Sequence, residues 1–204
     1  MNAPPMNPRG ETFAFTAENL AEANKIVARY PAGRQASAVM PLLMLAQRQN
    51  GNWVSQAAIE CVAQMLGMAP IRVHEVASFY TMYNLRPAGR VQVQVCTTTP
   101  CWLRGSDAVV SACEKALGVE CGETTADGRF GLKEVECLGA CVNAPMMQIG
   151  DEYFEDLDAA STARIIETLK AGGKLKAGPQ NGRKASEPVG GPTTLTSLQP
   201  GKEG

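Results

Sequence analysis

The first part of the chain carries apolar residues at helical spacing. They lie three or four positions apart in four consecutive segments, and each segment is bounded by residues that start or stop helices. The predicted helices run from Thr16 to about Ala28, from near Ser37 to Asn50-Gly51, from Ser55 to Gly67, and onward from Pro70. Because short loops join these helices, we predict a small helical bundle over residues 16–87.

A strict alternation of apolar and polar residues replaces the helical spacing at Val91. The segment Val91-Gln92-Val93-Gln94-Val95 has the period of two that is typical of a strand with its valines facing a core. A helix is predicted next, with Ser106 as its N-cap, an apolar face from Val109 to Leu117, and Gly118 just past its end. A strand followed by a helix therefore opens the second part of the chain.

Turn signals divide the residues that follow. Asp127-Gly128 predicts a tight hairpin turn. A strand is predicted at Met146 to Ile149, followed by a turn at Gly150-Asp151, the pair Tyr153-Phe154, and a final helix from about Ala159 to Ala171. The whole pattern predicts an α+β protein in which a second domain, residues 88–172, follows the helical bundle.

The two ends of the chain have little apolar periodicity. Residues 1–15 contain three prolines and are assigned as an N-terminal extension. Residues 173–204 are rich in glycine, with five basic against two acidic residues, which gives a net charge of +3. Such a composition predicts a tail that is extended and, on its own, disordered.

Composition and charge exclude several classes of protein. The net charge of −1 does not provide the basic surface of a nucleic-acid-binding protein. The longest apolar region, residues 36–46, is interrupted by Ser37 and Pro41 and is shorter than the roughly 20 residues of a membrane-spanning helix. The first fifteen residues lack the patterns of a secretory signal or a transit peptide, so we expect a bacterial cytoplasmic protein.

Four of the seven cysteines form two pairs that predict a metal site. Cys96 and Cys101 have four residues between them, Cys137 and Cys141 have three, and 35 residues separate the pairs. Thiolates are soft anionic ligands, and four of them suit either one zinc ion or the two irons of a 2Fe-2S cluster. The longer gaps favour the cluster, because each iron needs its own pair of thiolates.

The other candidate groups carry no chemistry in this interpretation. Cys61 and Cys113 lie on apolar helical faces and are assigned to cores, and Cys121 is assigned a structural role as well. The single histidine, His74, has no second ligand nearby. A dithiol oxidoreductase is disfavoured because neither pair has the Cys-x-x-Cys spacing, and no nucleotide-binding motif is present.

The residues around the cysteine pairs resemble a known family. The segments that carry the resemblance are Val93 to Cys101, Gly122 to Gly128, Glu134 to Pro145 and Tyr153 to Leu157. They are similar to the thioredoxin-like 2Fe-2S subunits of respiratory NADH-quinone oxidoreductase (complex I), of the alphaproteobacterial and mitochondrial type. The resemblance extends from about Ala17 to Leu198, and all four family ligand positions hold cysteine here.

The resemblance implies a fold, a cofactor and partners. It implies a thioredoxin-like 2Fe-2S ferredoxin domain in which Cys96, Cys101, Cys137 and Cys141 bind one 2Fe-2S cluster, with no catalytic residue in this chain. It also implies a neighbouring flavoprotein that binds NADH and FMN, contact with the large iron-sulfur subunit, and a place at the cytoplasmic face of the inner membrane. The tail then orders on a partner, and Pro145 occupies the position of a family cis proline.

Two alternative functions stay open on the sequence. The same module occurs in NAD-reducing hydrogenases and NAD-dependent formate dehydrogenases, although the tail resembles the complex I form. A zinc-stabilised structural subunit would use the same four cysteines without redox chemistry. In the cluster hypothesis, the loops of residues 97–100 and 138–140 supply N–H donors to the sulfurs, and Gly139 permits a close approach.

Overall fold

The computed structural model describes residues 12–188, 190–191 and 193–194, which divide into two compact units with a boundary between Arg90 and Val91. Residues 1–11, most of the predicted N-terminal extension, lie outside the described residues, as do 189, 192 and 195–204 of the predicted tail.

The first unit consists of helices packed around one apolar core. Its helices are α1 (Ala17–Ala28), α2 (Val39–Gln49), α3 (Gln56–Leu66) and α4 (Pro70–Phe79), and a 3-10 turn, Gln35–Ala38, precedes α2. The fully buried side chains at the centre of this core are Leu42, Leu43, Ile59, Val62 and Val73.

The helix ends agree with the predicted capping residues. The Thr16 hydroxyl accepts a hydrogen bond from the Asn19 N–H, and the Ser55 hydroxyl accepts one from Ala58, each at 3.2 Å. Gly67 ends α3 in the left-handed conformation that a glycine adopts without strain. One boundary differs, because the residues predicted to begin the second helix form the 3-10 turn instead.

A five-stranded mixed sheet forms the second unit. Its strands are β1 (Val91–Cys96), β2 (Phe130–Val135), β3 (Met147–Ile149), β4 (Glu152–Glu155) and β5 (Gly178–Pro179), in the spatial order β2-β1-β3-β4-β5. The two outer pairings, β1 with β2 and β4 with β5, are parallel, and the two inner pairings are antiparallel. Helices and a mixed sheet agree with the predicted α+β class.

Three helices accompany this sheet: α5 (Thr99–Leu103), α6 (Ser106–Leu117) and α7 (Ala159–Lys170). Val93 and Val95 of β1 are completely buried, as the alternating pattern predicted, and they share a core with Val109 of α6 and Ile166 of α7. The helices α6 and α7 lie side by side, where the Lys170 ammonium donates to the Ala116 carbonyl at 2.9 Å.

Some local predictions for the second unit are wrong. Ser106 is not an N-cap: Gly105, in a left-handed conformation, takes that position, and the Ser106 hydroxyl is buried inside α6 without a hydrogen-bond partner in the described residues. The hairpin turn at Asp127-Gly128 is present: the Thr125 N–H donates to the Phe130 carbonyl at 2.8 Å, the Leu132 N–H donates to the Glu123 carbonyl at 3.0 Å, and an antiparallel bridge joins Thr124 to Gly131. The strand after the turn also pairs in parallel with β1, which the sequence did not predict, and α5 was not predicted either.

The peptide bond between Ala144 and Pro145 is cis, as the resemblance implied. The tail is not wholly extended away from the chain, because β5 adds to the sheet. Among the described residues, no helix is long and apolar enough to cross a membrane.

Candidate metal centre

The topology of the sheet explains why the two cysteine loops meet. Cys96 is the last residue of β1 and stands beside Val135, the last residue of β2, in a parallel register. Because parallel strands end at the same edge of a sheet, the loops that follow them begin as neighbours. Cys101 lies in α5 directly after the first strand, and Cys137 follows the second strand by two residues.

Within each pair, the two side chains contact each other. The sulfurs of Cys137 and Cys141 are 3.4 Å apart, and the side chains of Cys96 and Cys101 are hydrogen-bonded to each other. The pairs also lie near one another, since the charge of Cys141 acts on the Cys101 thiol. All four are free thiols. The contacts within and between the pairs therefore bring the four predicted cysteines near one another.

The pairs differ sharply in exposure. Cys96 and Cys101 are 2% and 1% exposed, whereas Cys137 and Cys141 are exposed to solvent. The buried pair shares a small apolar cluster with Ala144 and Met146, and the side chains packed against that cluster are Leu138, Ala140 and Tyr153. One side of the site is therefore dry and the other open to solvent.

Backbone N–H groups point at the buried sulfurs. Leu138 and Thr98 donate to Cys96, and Met146 donates to Cys101. Burial alone would raise the pKa of the Cys96 thiol, but the hydrogen bonds that it accepts outweigh burial and lower it below the usual value. Burial raises the pKa of Cys101 to about 12, and the Cys96 side chain adds to that rise.

These donors agree in part with the sequence. Thr98 and Leu138 lie in the two loops that were expected to supply N–H groups, but Met146 does not. It follows Pro145 and approaches the site from the start of β3, and no local pattern predicts that approach. Gly139 has a φ of 87°. Glycine therefore also allows the second loop to adopt a left-handed backbone conformation that other residues rarely adopt.

Side-chain hydrogen bonds hold the two cysteine loops in place. The Tyr153 hydroxyl donates to the Leu138 carbonyl at 2.9 Å. The Thr98 hydroxyl donates to the Glu136 carboxylate at 3.1 Å and so joins the two loops. Tyr153 was missed as a supporting residue because its role depends on the pairing of β4 with β3, which the sequence does not encode locally.

The remaining cysteines have structural positions in the two units. Cys113 is completely buried in the core of the second unit, and burial raises its pKa to about 12. Cys121 packs against the same core, where burial raises its pKa to about 11. Cys61 is half-buried in α3. Their structural assignment agrees with these positions.

The donor set fits a group with two metal ions. The sulfurs approach as two separate pairs, and two thiolates for each of two irons is the ligand requirement of a 2Fe-2S cluster. The N–H donors satisfy the sulfurs of the buried pair.

Comparison with known proteins identifies related chains. The family model for thioredoxin-like 2Fe-2S ferredoxin matches residues 23–170. The mitochondrial NADH dehydrogenase (ubiquinone) flavoprotein 2 of Dictyostelium discoideum is 54% identical over 90% of this chain and 74% of its own length. The E subunit of the NADH-quinone oxidoreductase of Rickettsia conorii is 54% identical over 81% of this chain and 99% of its own.

A solved structure is also similar. An NAD+-reducing NiFe hydrogenase in its air-oxidized state matches with 25% identity and a TM-score of 0.56, over 64% of this chain. The match spans only 23% of that hydrogenase chain.

Proposed function

Since the chain belongs to the thioredoxin-like 2Fe-2S ferredoxin family, we propose that it is the electron-transfer E subunit of NADH-quinone oxidoreductase, complex I. The 54% identity to the Rickettsia conorii protein, over 99% of that protein, supports this function. The observation that carries it is the meeting of two cysteine pairs at the ends of two parallel strands. The chain then acts in an oxidoreductase without a substrate site of its own.

We assign Cys96, Cys101, Cys137 and Cys141 as the four thiolate ligands. When bound, a 2Fe-2S cluster supplies reversible one-electron transfer. The protein excludes water from Cys96 and Cys101, which are at most 2% exposed. The N–H groups of Thr98, Leu138 and Met146 point at sulfur and stabilise the negative charge that an added electron brings.

The open side of the site is suited to a partner protein. Trp102 and Leu103 follow Cys101 and are 58% and 69% exposed, and Val142 follows Cys141 and is 68% exposed. Large apolar side chains at the surface are typical of interaction sites. We propose that the NADH-oxidising flavoprotein, which holds FMN, docks on these three residues and thereby comes within electron-transfer range of the cysteines.

The tail serves assembly in this proposal. The tail of residues 173–204 packs on a partner subunit, and the chain also contacts the large iron-sulfur subunit. The domain of residues 88–172 carries the cluster. The assembly lies at the cytoplasmic face of the bacterial inner membrane.

The diaphorase component of a hydrogenase is the second candidate, because the NAD+-reducing hydrogenase has a similar fold. Its identity to this chain is 25%, against 54% for the Rickettsia conorii protein, so the observations favour complex I. A structural zinc site is the third candidate, and it uses the same thiols.

The visible absorption and electron paramagnetic resonance spectra of the purified chain, before and after dithionite, test this function. A brown protein that gains an S = 1/2 signal on reduction carries the 2Fe-2S cluster. A colourless protein with stoichiometric zinc would contradict the proposal.

A pair of cysteine variants tests the assignment of ligands. Cys101→Ser is expected to abolish or shift the electron paramagnetic resonance signal of the reduced chain. Cys113→Ser is the matched control, because Cys113 is as deeply buried but lies outside the site. Equal effects of the two variants would contradict the assignment.

A further inference from the structure

A buried ion pair lies directly behind the second cysteine loop. The Arg183 guanidinium donates through Nη2 to Asp156 Oδ1 at 2.9 Å, and the two side chains are 7% and 4% exposed. Arg183 comes from the tail, just after β5, and Asp156 directly follows β4. The tail therefore brings a charged side chain into the interior of the second unit.

The same guanidinium also donates hydrogen bonds to the turn that begins at Cys141. Through Nη1, Arg183 donates to Asn143 Oδ1 at 3.0 Å and to the Val142 carbonyl at 3.3 Å. Val142 and Asn143 complete the 3-10 turn Cys141–Asn143. The cation thus contacts the two residues that follow the candidate ligand Cys141.

Asn143 connects this turn to both β4 and the tail. It is 2% exposed, and its Nδ2 donates to Glu155 Oε2 at 2.6 Å and to the Ala185 carbonyl at 3.1 Å. The Asn143 carbonyl accepts from the Asp156 N–H at 2.7 Å. The orientation of the turn is therefore fixed by charged and polar groups from three segments of the chain.

This arrangement is costly for stability, which points to another reason for it. Buried ion pairs often stabilise a fold less than apolar residues of similar size, because both charges lose their hydration. Arg183 Nε and Asp156 Oδ2 are buried and lack hydrogen-bond partners in the described residues, so the loss is not fully offset. Asp156 also has a φ of 50°, an uncommon conformation for a residue other than glycine.

We propose that Arg183 is a positioning residue that fixes the Cys141–Asn143 turn and raises the reduction potential of the cluster that this turn helps to hold, an inference that rests on the proposed function. Reduction adds one negative charge, which a nearby cation stabilises. The negative charge of Asp156 opposes this effect, so the reduction potential depends on the sum of the effects of the two charges. The tail thereby takes part in the redox site.

The size of the effect follows from distance. One residue spacing and the 3.3 Å hydrogen bond to Val142 put the guanidinium on the order of 10 Å from the Cys141 sulfur. At an effective dielectric constant of about 20, a unit charge at such a distance changes a one-electron equilibrium roughly tenfold. A tenfold change corresponds to about 59 mV.

The test is a redox titration of the full chain carrying its cluster, followed by electron paramagnetic resonance. Arg183→Gln is expected to shift the reduction equilibrium roughly tenfold toward the oxidised form, and Asp156→Asn to shift it in the opposite direction. Arg183→Lys keeps the charge and is expected to restore most of the equilibrium. Lys184→Gln is the matched control, because it removes the same charge from an exposed neighbouring position.

Opposite shifts in the two single variants support the proposal, since a merely structural role would not reverse sign. Wild-type potentials in both, or shifts in the same direction, would overturn it. If Arg183→Gln does not retain the cluster, Asp156→Asn alone decides: an upward shift supports the inference and an unchanged potential refutes it. A wild-type chain that holds no 2Fe-2S cluster would instead refute the proposed function.

Discussion

Replacing Tyr153 with phenylalanine removes a single hydrogen bond from the site and little else. The hydroxyl donates to the Leu138 carbonyl at 2.9 Å, and Leu138 lies next to Cys137 in the second loop. The ring stays in place, because phenylalanine fills the same space beside Cys96 and Met146. The variant therefore tests whether this hydrogen bond holds the second cysteine loop in its position at the site.

The structure sets the expected magnitude. A hydrogen bond of this kind contributes about 1 kcal/mol net, and the half-buried Leu138 carbonyl finds water when the bond is lost. If the bond is absent in the open form of the loop, opening becomes easier by about 1 kcal/mol, or about fivefold. We expect the cluster to be lost to a chelator about fivefold faster in Tyr153→Phe.

The first unit provides a matched control. The Tyr83 hydroxyl donates to the Met40 carbonyl at the same distance of 2.9 Å, and Tyr83 is 5% exposed. Tyr83→Phe is expected to lower the free energy of unfolding by about 1 kcal/mol in a urea titration. It should leave the rate of cluster loss, followed by visible absorbance at a fixed chelator concentration, unchanged. Equal rates of loss in the two variants would refute the argument.

Three further predictions concern the loop, the docking face and a helix cap. Gly139→Ala and Gly150→Ala both place alanine at a positive φ with free space around the new Cβ, so each should cost about 1 kcal/mol in urea titrations, and only Gly139→Ala should also speed cluster loss to a chelator. Trp102→Ala should weaken binding of the flavoprotein at least tenfold by calorimetry, whereas Leu20→Ala, an exposed site on α1, should not; equal affinities would exclude this docking face. Asp158 caps α7 by accepting a hydrogen bond from the Ser161 N–H, and this bond lowers the pKa of Asp158 below the ordinary 3.8. The stabilisation by the charged cap is therefore present above pH 3.8 and is lost as the pH falls through the lowered pKa. In urea titrations, Asp158→Asn should keep the cap but lose this acid dependence, and Asp158→Ala should cost about 1 kcal/mol at pH 7.

Local signals were enough to predict most helices. Thr16, Ser55 and Gly67 act within their own turns, so the residue type alone identifies the boundary. Ser106 had the right type for a cap, but the chain enters α6 through Gly105 with a φ of 93°. A serine outside the capping position cannot cap, and its neighbour's backbone conformation was not visible in the sequence.

Strand pairing could not be predicted in the same way. Val91 pairs with Phe130 and Cys96 with Val135, each 39 positions away in the chain. The tight turn at Asp127-Gly128 predicts the local hairpin bonds that are present, but it gives no information on the parallel partner of the strand after it, which lies much earlier in the sequence. The grouping of the four cysteines into two pairs was predictable from their type and spacing, whereas the difference in exposure between the pairs depends on this long-range pairing.

The two sides of the site are held by different kinds of contact, which determines how each can respond to other groups. Cys96 and Cys101 are held by backbone N–H groups and a dry apolar cluster, so changes at the surface reach them weakly. The exposed pair depends on side chains from distant segments. Tyr153 donates a hydrogen bond to Leu138 of the second cysteine loop, and Arg183 donates one to Val142 in the turn that begins at Cys141. A partner that moves the tail would move Arg183 and therefore act on the exposed pair first. In the proposed electron-transfer protein, binding of the tail and the reduction potential are then linked through one guanidinium.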